Sequence, residues 1–251
     1  MPLVWVSFLL LAPAQAVEAE VARLEEAAQK SPSNALAWKE LGSAMTARRK
    51  PELALAAFEK ACELAPKDES ACYYLARTLL DLGRYDQAVE PFEKALRAAP
   101  NKLLPRVHRT MALNFVALTR PEDAERHFRE AIRLNHRSER PDDDPRIDYG
   151  AFLFRQGRAE EAFPLLERAV HELPDSARAH TELAKVLLSR GKPGAAATVL
   201  ERAIELNPRS WSSRLLLGRA YVQLGRTEQG EQQLRLGREG WKESYGSPAV
   251  R

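Results

Sequence analysis

A repeat of about 34 residues runs through most of this 251-residue chain and constrains its fold more than any other feature. Small residues recur at one position of the repeat, at intervals of 34, 36, 38, 34 and 34 residues. These small residues are Ala54, Ala88, Ala124, Ala162, Ala196 and Gly230. Such a period indicates one structural unit that stacks against copies of itself and cannot bury its apolar face alone.

Each small residue is followed four positions later by a large apolar residue, and three positions after that by a second small residue. The large residues are Phe58, Phe92, Phe128, Leu166, Leu200 and Leu234. The second small residues are Ala61, Ala95, Ala131, Ala169, Ala203 and Gly237. Spacings of three and four place all three positions on one face of a helix, where small residues allow close approach and the large one fills the groove.

The first complete unit shows the whole pattern. Its first half contains Trp38, Leu41, Gly42 and Met45, and its second half contains Ala54, Phe58, Ala61 and Pro66. This pattern resembles the tetratricopeptide repeat (TPR) family, with Met45 in place of the usual tyrosine. The resemblance implies an all-α fold, a superhelical solenoid of antiparallel helix pairs, and a function in binding other proteins.

We predict about six repeats, preceded by a single helix that forms a half-repeat. The predicted segments are 17–34 for the half-repeat, 35–68, 69–102, 105–138, 143–176, 177–210 and 211–244 for the repeats, and 245–251 for a tail. Glycines between the paired helices of four repeats are expected at positive φ: Gly83, Gly157, Gly191 and Gly225. The last repeat is predicted to be a cap, because polar residues surround a thin apolar stripe on its second helix.

The first sixteen residues resemble a secretory signal peptide. Residues 3–12 are apolar except for Ser7, and the small-residue pattern that ends at Ala16 predicts cleavage there. The apolar run is too short for a transmembrane anchor, so we expect a periplasmic or secreted protein. No Lys or Arg precedes the run, which leaves a cytoplasmic protein as the alternative.

Cys62 and Cys72 are the two cysteines of the chain. In an oxidising compartment they would pair if their backbones approach closely enough. The alternative is that both are small apolar packing residues. Two cysteines are too few for a zinc site.

No arrangement of residues in the sequence indicates an enzyme, a cofactor or a metal. The five histidines show no metal-binding spacing and no glycine-rich phosphate loop is present. His108 and His180 occupy the position of Trp38, which assigns them to packing.

The aspartates Asp142, Asp143, Asp144 and Asp148 suggest calcium, but Asp144 before Pro145 is better explained as a helix N-cap.

The charge distribution excludes nucleic acid and instead predicts a basic groove. The 38 basic and 35 acidic residues are too evenly spread for a nucleic-acid-binding surface. The resemblance places function on the concave face, at the fifth and ninth residues of each repeat and their neighbours. The fifth and ninth residues of the six repeats make twelve positions, of which five are basic and none is acidic. The predicted partner-binding residues are Lys39, Tyr73, Tyr74, Arg77, Arg106, Arg109, Arg178, Lys185 and Arg219.

Two functional hypotheses follow, neither of which includes catalysis. The first is a scaffold that binds an extended, acidic peptide or partner protein in this groove. The second is an accessory TPR subunit of an envelope-assembly or glycosyltransferase complex, in which the partner performs the chemistry.

Overall fold

The computed structural model describes residues 19–98, 104–135 and 140–245. The predicted signal peptide, residues 1–16, lies outside these residues, and so do residues 246–251 of the predicted tail. The chain divides into two compact units, residues 1–127 and 128–251.

The described residues form thirteen α-helices and one short 3-10 helix, and they contain no β-strand. Helix α1 spans residues 19–30. The next six helices are α2 Ala35–Ala47, α3 Pro51–Leu64, α4 Glu69–Asp81, α5 Tyr85–Ala98, α6 Leu104–Ala117 and α7 Pro121–Leu134. After the 3-10 helix Pro141–Asp143 come α8 Pro145–Arg155, α9 Ala159–Glu172, α10 Ala177–Ser189, α11 Pro193–Leu206, α12 Trp211–Gln223 and α13 Thr227–Tyr245. Helices that follow one another pack as pairs, which confirms the predicted all-α solenoid of helix pairs.

Polar side chains determine where the first helix of several pairs begins. Asn34 accepts hydrogen bonds from the backbone N–H groups at the start of α2, and Asp68 does the same for α4. Asp144 caps α8 and Ser176 caps α10. These caps satisfy N–H groups that have no partner within the helix. Asp144 therefore has the capping role that the sequence predicted for it.

The turn inside each pair needs one residue with a left-handed backbone. Four pairs place glycine there, with φ of 72° at Gly83, 78° at Gly157, 67° at Gly191 and 75° at Gly225. In the pairs α2–α3 and α6–α7 the equivalent residues are Arg49 and Thr119, with φ of 55° and 54°. A side chain with a Cβ is disfavoured in this conformation, and a β-branched one most of all.

Within each unit, the core lies between the helices of the pairs and between neighbouring pairs. Five of the large residues predicted to fill it are 2% exposed or less: Phe58, Phe92, Phe128, Leu166 and Leu200. Glycines on the facing helices allow this close packing. A Cβ on Gly42 would lie 2.7 Å from the ring of Phe58, and one on Gly150 would lie 2.6 Å from Leu166.

The last pair ends with α13, which at 19 residues is longer than the second helices before it. The glycines of α13 pack directly on α12, since a Cβ on Gly237 would meet Leu215 and one on Gly240 would meet Trp211. Its exposed side chains are largely polar and include Gln229, Glu231, Gln232, Arg235 and Arg238.

Candidate functional site

The candidate binding residues lie on the first helices of the pairs, and each unit is described by itself. These helices are α2, α4 and α6 in the N-terminal unit and α8, α10 and α12 in the C-terminal unit. In the N-terminal unit, a hydrogen-bond contact joins two of these helices. The hydroxyl oxygens of Tyr73 on α4 and Thr110 on α6 lie 3.3 Å apart. Arg77 follows Tyr73 by one helical turn, while Arg106 and Arg109 lie within one turn before Thr110. We call Arg77, Arg106 and Arg109 the arginine cluster.

The three arginines of the cluster differ in exposure, and one of the two helices that carry them has no acidic residue. The side chain of Arg77 is exposed and makes no ion pair with the described residues, while Arg106 and Arg109 are half-buried. Helix α6 contains no Asp or Glu at all, although acidic residues are abundant in the rest of the chain. The helices joined by this contact thus carry three arginines within about one turn of it along the chain, and guanidinium groups suit carboxylate oxygens in a planar, bidentate geometry.

Tyr73 does not provide the exposed aromatic surface that the sequence predicted. It is 4% exposed, and its ring lies 6.5 Å from that of Phe92. Ile147 and Thr181 are the fifth residues of the fourth and fifth predicted repeats, where binding residues were expected, and both are also buried. Thr181 contacts Ser213 on the next first helix and Ile147 packs against Ala169 and Ala179, so the fifth position belongs partly to the core.

Lys39 is a structural cation. Its ammonium lies 2.6 Å from a carboxylate oxygen of Asp68 and 3.0 Å from the hydroxyl of Ser70. Burial raises the pKa of Asp68, but the hydrogen bonds from Lys39 and Ser70 outweigh burial and leave it below its usual value. Since Asp68 caps α4, Lys39 fastens the first repeat to the start of the second.

A cavity of about 350 Å³ opens beside Lys39 in the N-terminal unit. Its lining comes from α1, α2 and α4: Glu20, Arg23, Leu24, Lys39, Glu40, Ser43 and Tyr74. We call it the α1 pocket. Two of the predicted partner-binding residues, Lys39 and Tyr74, line it. The sequence analysis missed Glu40 and the lining residues on α1. It considered mainly the fifth and ninth residues of each repeat, whereas Glu40 is a sixth residue and α1 belongs to the half-repeat.

The predicted cations of the C-terminal unit are mostly paired within the protein. Arg178 forms an ion pair with Asp148 and donates to the backbone oxygen of Asp142 over 3.0 Å. Lys185 pairs with Glu182 at 2.7 Å. Arg219 is exposed and makes no ion pair with the described residues. All three cations thus lie on first helices of their pairs, but Arg178 and Lys185 form ion pairs within the protein.

The aspartates near residue 142 are also used by protein groups. Asp142 accepts a hydrogen bond from the hydroxyl of Ser176 over 2.6 Å. Asp144 is 1% exposed and forms two bonds with the guanidinium of Arg146, at 2.8 and 2.9 Å. Within the described ranges, no group of three or more His, Cys, Asp or Glu side chains is arranged to hold a metal ion.

Two histidines of the N-terminal unit form a partly buried contact. The Nδ1 atoms of His108 and His127 lie 2.8 Å apart, and the ring of His127 stacks on Phe115. In the C-terminal unit, His180 is buried with Nδ1 2.9 Å from the backbone oxygen of Ser176. The geometry of His108 and His180 is that of packed side chains.

A disulfide joins Cys62 on α3 to Cys72 on α4, with their Cα atoms 4.8 Å apart. Both cysteines are buried, at 4% and 0% exposure. The bond links the first repeat to the second, and Tyr73 and Tyr74 follow Cys72 directly in α4.

No helix in the described part of the chain is long and apolar enough to cross a membrane.

Three family models match the sequence. One, described as "Anaphase-promoting complex, cyclosome, subunit 3", matches residues 138–235. Two others, described as "Tetratricopeptide repeat", match residues 20–69 and 45–113. No curated protein matches the chain.

Many solved structures resemble this one. A tetratricopeptide repeat protein from Parabacteroides merdae is 17% identical, with 95% of this chain and 90% of that chain covered and a TM-score of 0.70. PilW, described as a widely conserved type IV pilus biogenesis factor, is 20% identical, with coverage of 86% and 95% and a TM-score of 0.69. YrrB, described as a TPR protein with an unusual peptide-binding site, is 23% identical, with coverage of 76% and 95% and a TM-score of 0.55. At these identities the likeness establishes the shared fold.

Proposed function

The chain belongs to the tetratricopeptide repeat family, whose members generally mediate protein–protein interactions, and we propose that it is a non-catalytic scaffold for an acidic protein segment. The segment binds in extended form on the first helices of the N-terminal unit, across α4 and α6. The observation that carries the proposal is the arginine cluster, beside an α6 helix without carboxylates.

The chemistry of the cluster favours carboxylates over other groups. Guanidinium groups stay charged at every relevant pH and offer paired N–H donors that match a carboxylate. Arg77 is exposed and has no internal ion pair to break within the described part, so binding an external carboxylate costs little reorganisation. YrrB, which shares the fold, is described as having a peptide-binding site, and this supports a peptide as the ligand.

Peptide selection tests the proposal even when the natural partner is unidentified. Short random peptides displayed on phage are selected on the full chain, and their affinities are then measured by fluorescence polarisation. We expect the selected peptides to be rich in Asp and Glu, and their affinity to fall as salt concentration rises. The variant Arg77→Glu/Arg109→Glu should weaken binding about tenfold or more, because it replaces charge-assisted bonds by repulsion.

A matched control is available on the second helices. Lys60 on α3 and Arg97 on α5 are exposed, and Lys60→Glu/Arg97→Glu changes the net charge by the same amount. This control should bind the selected peptides like the wild type. Equal weakening by both double variants would mean that only net charge matters, and the arginine cluster would then not be the site.

We further propose that the protein is exported and works in an oxidising compartment. The sequence of the first sixteen residues supports this, and so does the buried disulfide, since such bonds persist outside the reducing cytosol. Mass spectrometry of the protein from its native host should find Val17 at the N-terminus and no free thiol. A chain that begins at Met1 with two free thiols would support the cytoplasmic alternative.

An accessory role in envelope assembly is the second candidate. The resemblance to PilW, a pilus biogenesis factor, covers 86% of this chain and supports it at the level of the fold. Crosslinking in intact cells separates the two candidates. A constant set of envelope-complex subunits would favour the accessory role, whereas varied clients that share acidic segments would favour the general scaffold.

A further inference from the structure

We propose that the α1 pocket is a subsite for a cationic side chain, lysine or arginine, of the bound segment. This inference rests on the proposed function, because it specifies the partner of the same N-terminal unit. It differs from the expectation based on sequence, in which Lys39 and Tyr74 contribute to binding an acidic ligand.

Internal ion pairs decide the charge that the pocket offers to a ligand. Arg23 is bound to Glu20 at 2.8 Å, and Lys39 is bound to Asp68 at 2.6 Å, so both cations of the lining are compensated. Glu40 is exposed and forms no ion pair with the described residues. Glu40 also acts electrostatically on Arg23. The three carboxylates Glu20, Glu40 and Asp68 exceed the two cations of the lining by one charge, which a cationic ligand complements.

Tyr74 gives the pocket an aromatic surface. Tyr74 is one of the lining residues, and its ring stacks on Phe58 with centroids 5.5 Å apart, which fixes the ring in place. Aromatic rings attract ammonium and guanidinium groups through their quadrupole. Leu24 adds an apolar wall on which the methylene stem of a lysine or arginine can pack.

The pocket is large enough to admit one long side chain. At about 350 Å³ it lies at the lower end of the range for ligand sites, which spans roughly 300–1,000 Å³. The preferred partner segment thus has a bipolar character, with a basic residue in the α1 pocket and acidic residues on the arginine cluster. Such a pattern would distinguish true clients from acidic segments in general.

The experiment uses the full chain, labelled with ¹⁵N, and two small probes. N-acetyl-lysine N-methylamide carries the cation, and N-acetyl-norleucine N-methylamide has a similar stem without it. We expect the lysine probe to shift the amide resonances of Leu24 and Ser43 at lower concentration than the norleucine probe. The variant Glu40→Gln should weaken the lysine response about threefold to tenfold.

Two comparison variants complete the test. Glu59→Gln removes an exposed carboxylate from α3, outside the pocket, and should leave the lysine response unchanged. Arg77→Glu/Arg109→Glu should also leave it unchanged, although it weakens acidic-peptide binding about tenfold or more. Equal responses to lysine and norleucine, or no effect of Glu40→Gln, would overturn the pocket assignment while the acidic-peptide proposal stands. A normal lysine response without any acidic-peptide binding would overturn the proposed function alone.

Discussion

The ion pair of Arg146 with Asp144 gives the sharpest stability prediction. Arg146 is 9% exposed; besides its two bonds to Asp144, it lies 2.5 Å from Glu172. The change Arg146→Met keeps the apolar bulk but leaves the buried carboxylate of Asp144 with Asn135 and the N–H of residue 146 as its remaining partners. Removing one partner of a buried pair costs about 3–5 kcal/mol, and the remaining hydrogen bonds place this case near 3 kcal/mol.

Arg168 supplies the control, because it binds the same Glu172 at 2.6 Å from an exposed position. Arg168→Met should cost about 0.5 kcal/mol or less, as is usual for exposed pairs. Urea unfolding followed by circular dichroism gives the free energy of unfolding of each variant. Asp144→Asn combined with Arg146→Met should recover part of the loss, because no unpaired charge remains. The reasoning is refuted if Arg146→Met costs no more than Arg168→Met.

Three further predictions concern backbone strain, packing and pH. Thr119→Gly should stabilise the fold by about 1 kcal/mol, because it relieves a β-branched residue at positive φ; a lower melting temperature would contradict this. Gly42→Ala should destabilise by about 1–3 kcal/mol through its contact with Phe58, whereas Gly194→Ala, which meets no atom within 4 Å, should not; equal effects in thermal unfolding would count against the packing account. Lys39→Met should be destabilising at pH 7. Because the folded state lowers the pKa of Asp68, this contribution is complete above the usual value of 3.8 and is lost as the pH falls through the lower folded pKa. Urea unfolding at pH 7 and pH 3 should therefore show a smaller difference from wild type at pH 3.

The repeat pattern predicted the helices and their core because both depend on local spacing. Phe58 and Phe92 are buried as their positions in the repeat require, and Gly83 has the positive φ expected at the turn. Arg49 and Thr119 were not anticipated at that φ, since neither residue type signals it. They have this φ because they occupy the turn position at which the other four pairs have glycine.

The site was less predictable because it depends on contacts between repeats. Lys39 meets Asp68, which is 29 residues away in sequence, and the burial of Tyr73 depends on its neighbours on α5 and α6. A count of basic residues cannot tell a cation that is paired internally from one that faces solvent. The α1 pocket could have been suspected only by treating the half-repeat helix as a partner of α2.

Hydrogen–deuterium exchange on the full chain, with and without a peptide selected for binding, locates the binding face. We expect slower exchange in α4 and α6 of the N-terminal unit, with α3 and α5 unchanged. Protection confined to the second helices or to the C-terminal unit would contradict a binding face on α4 and α6.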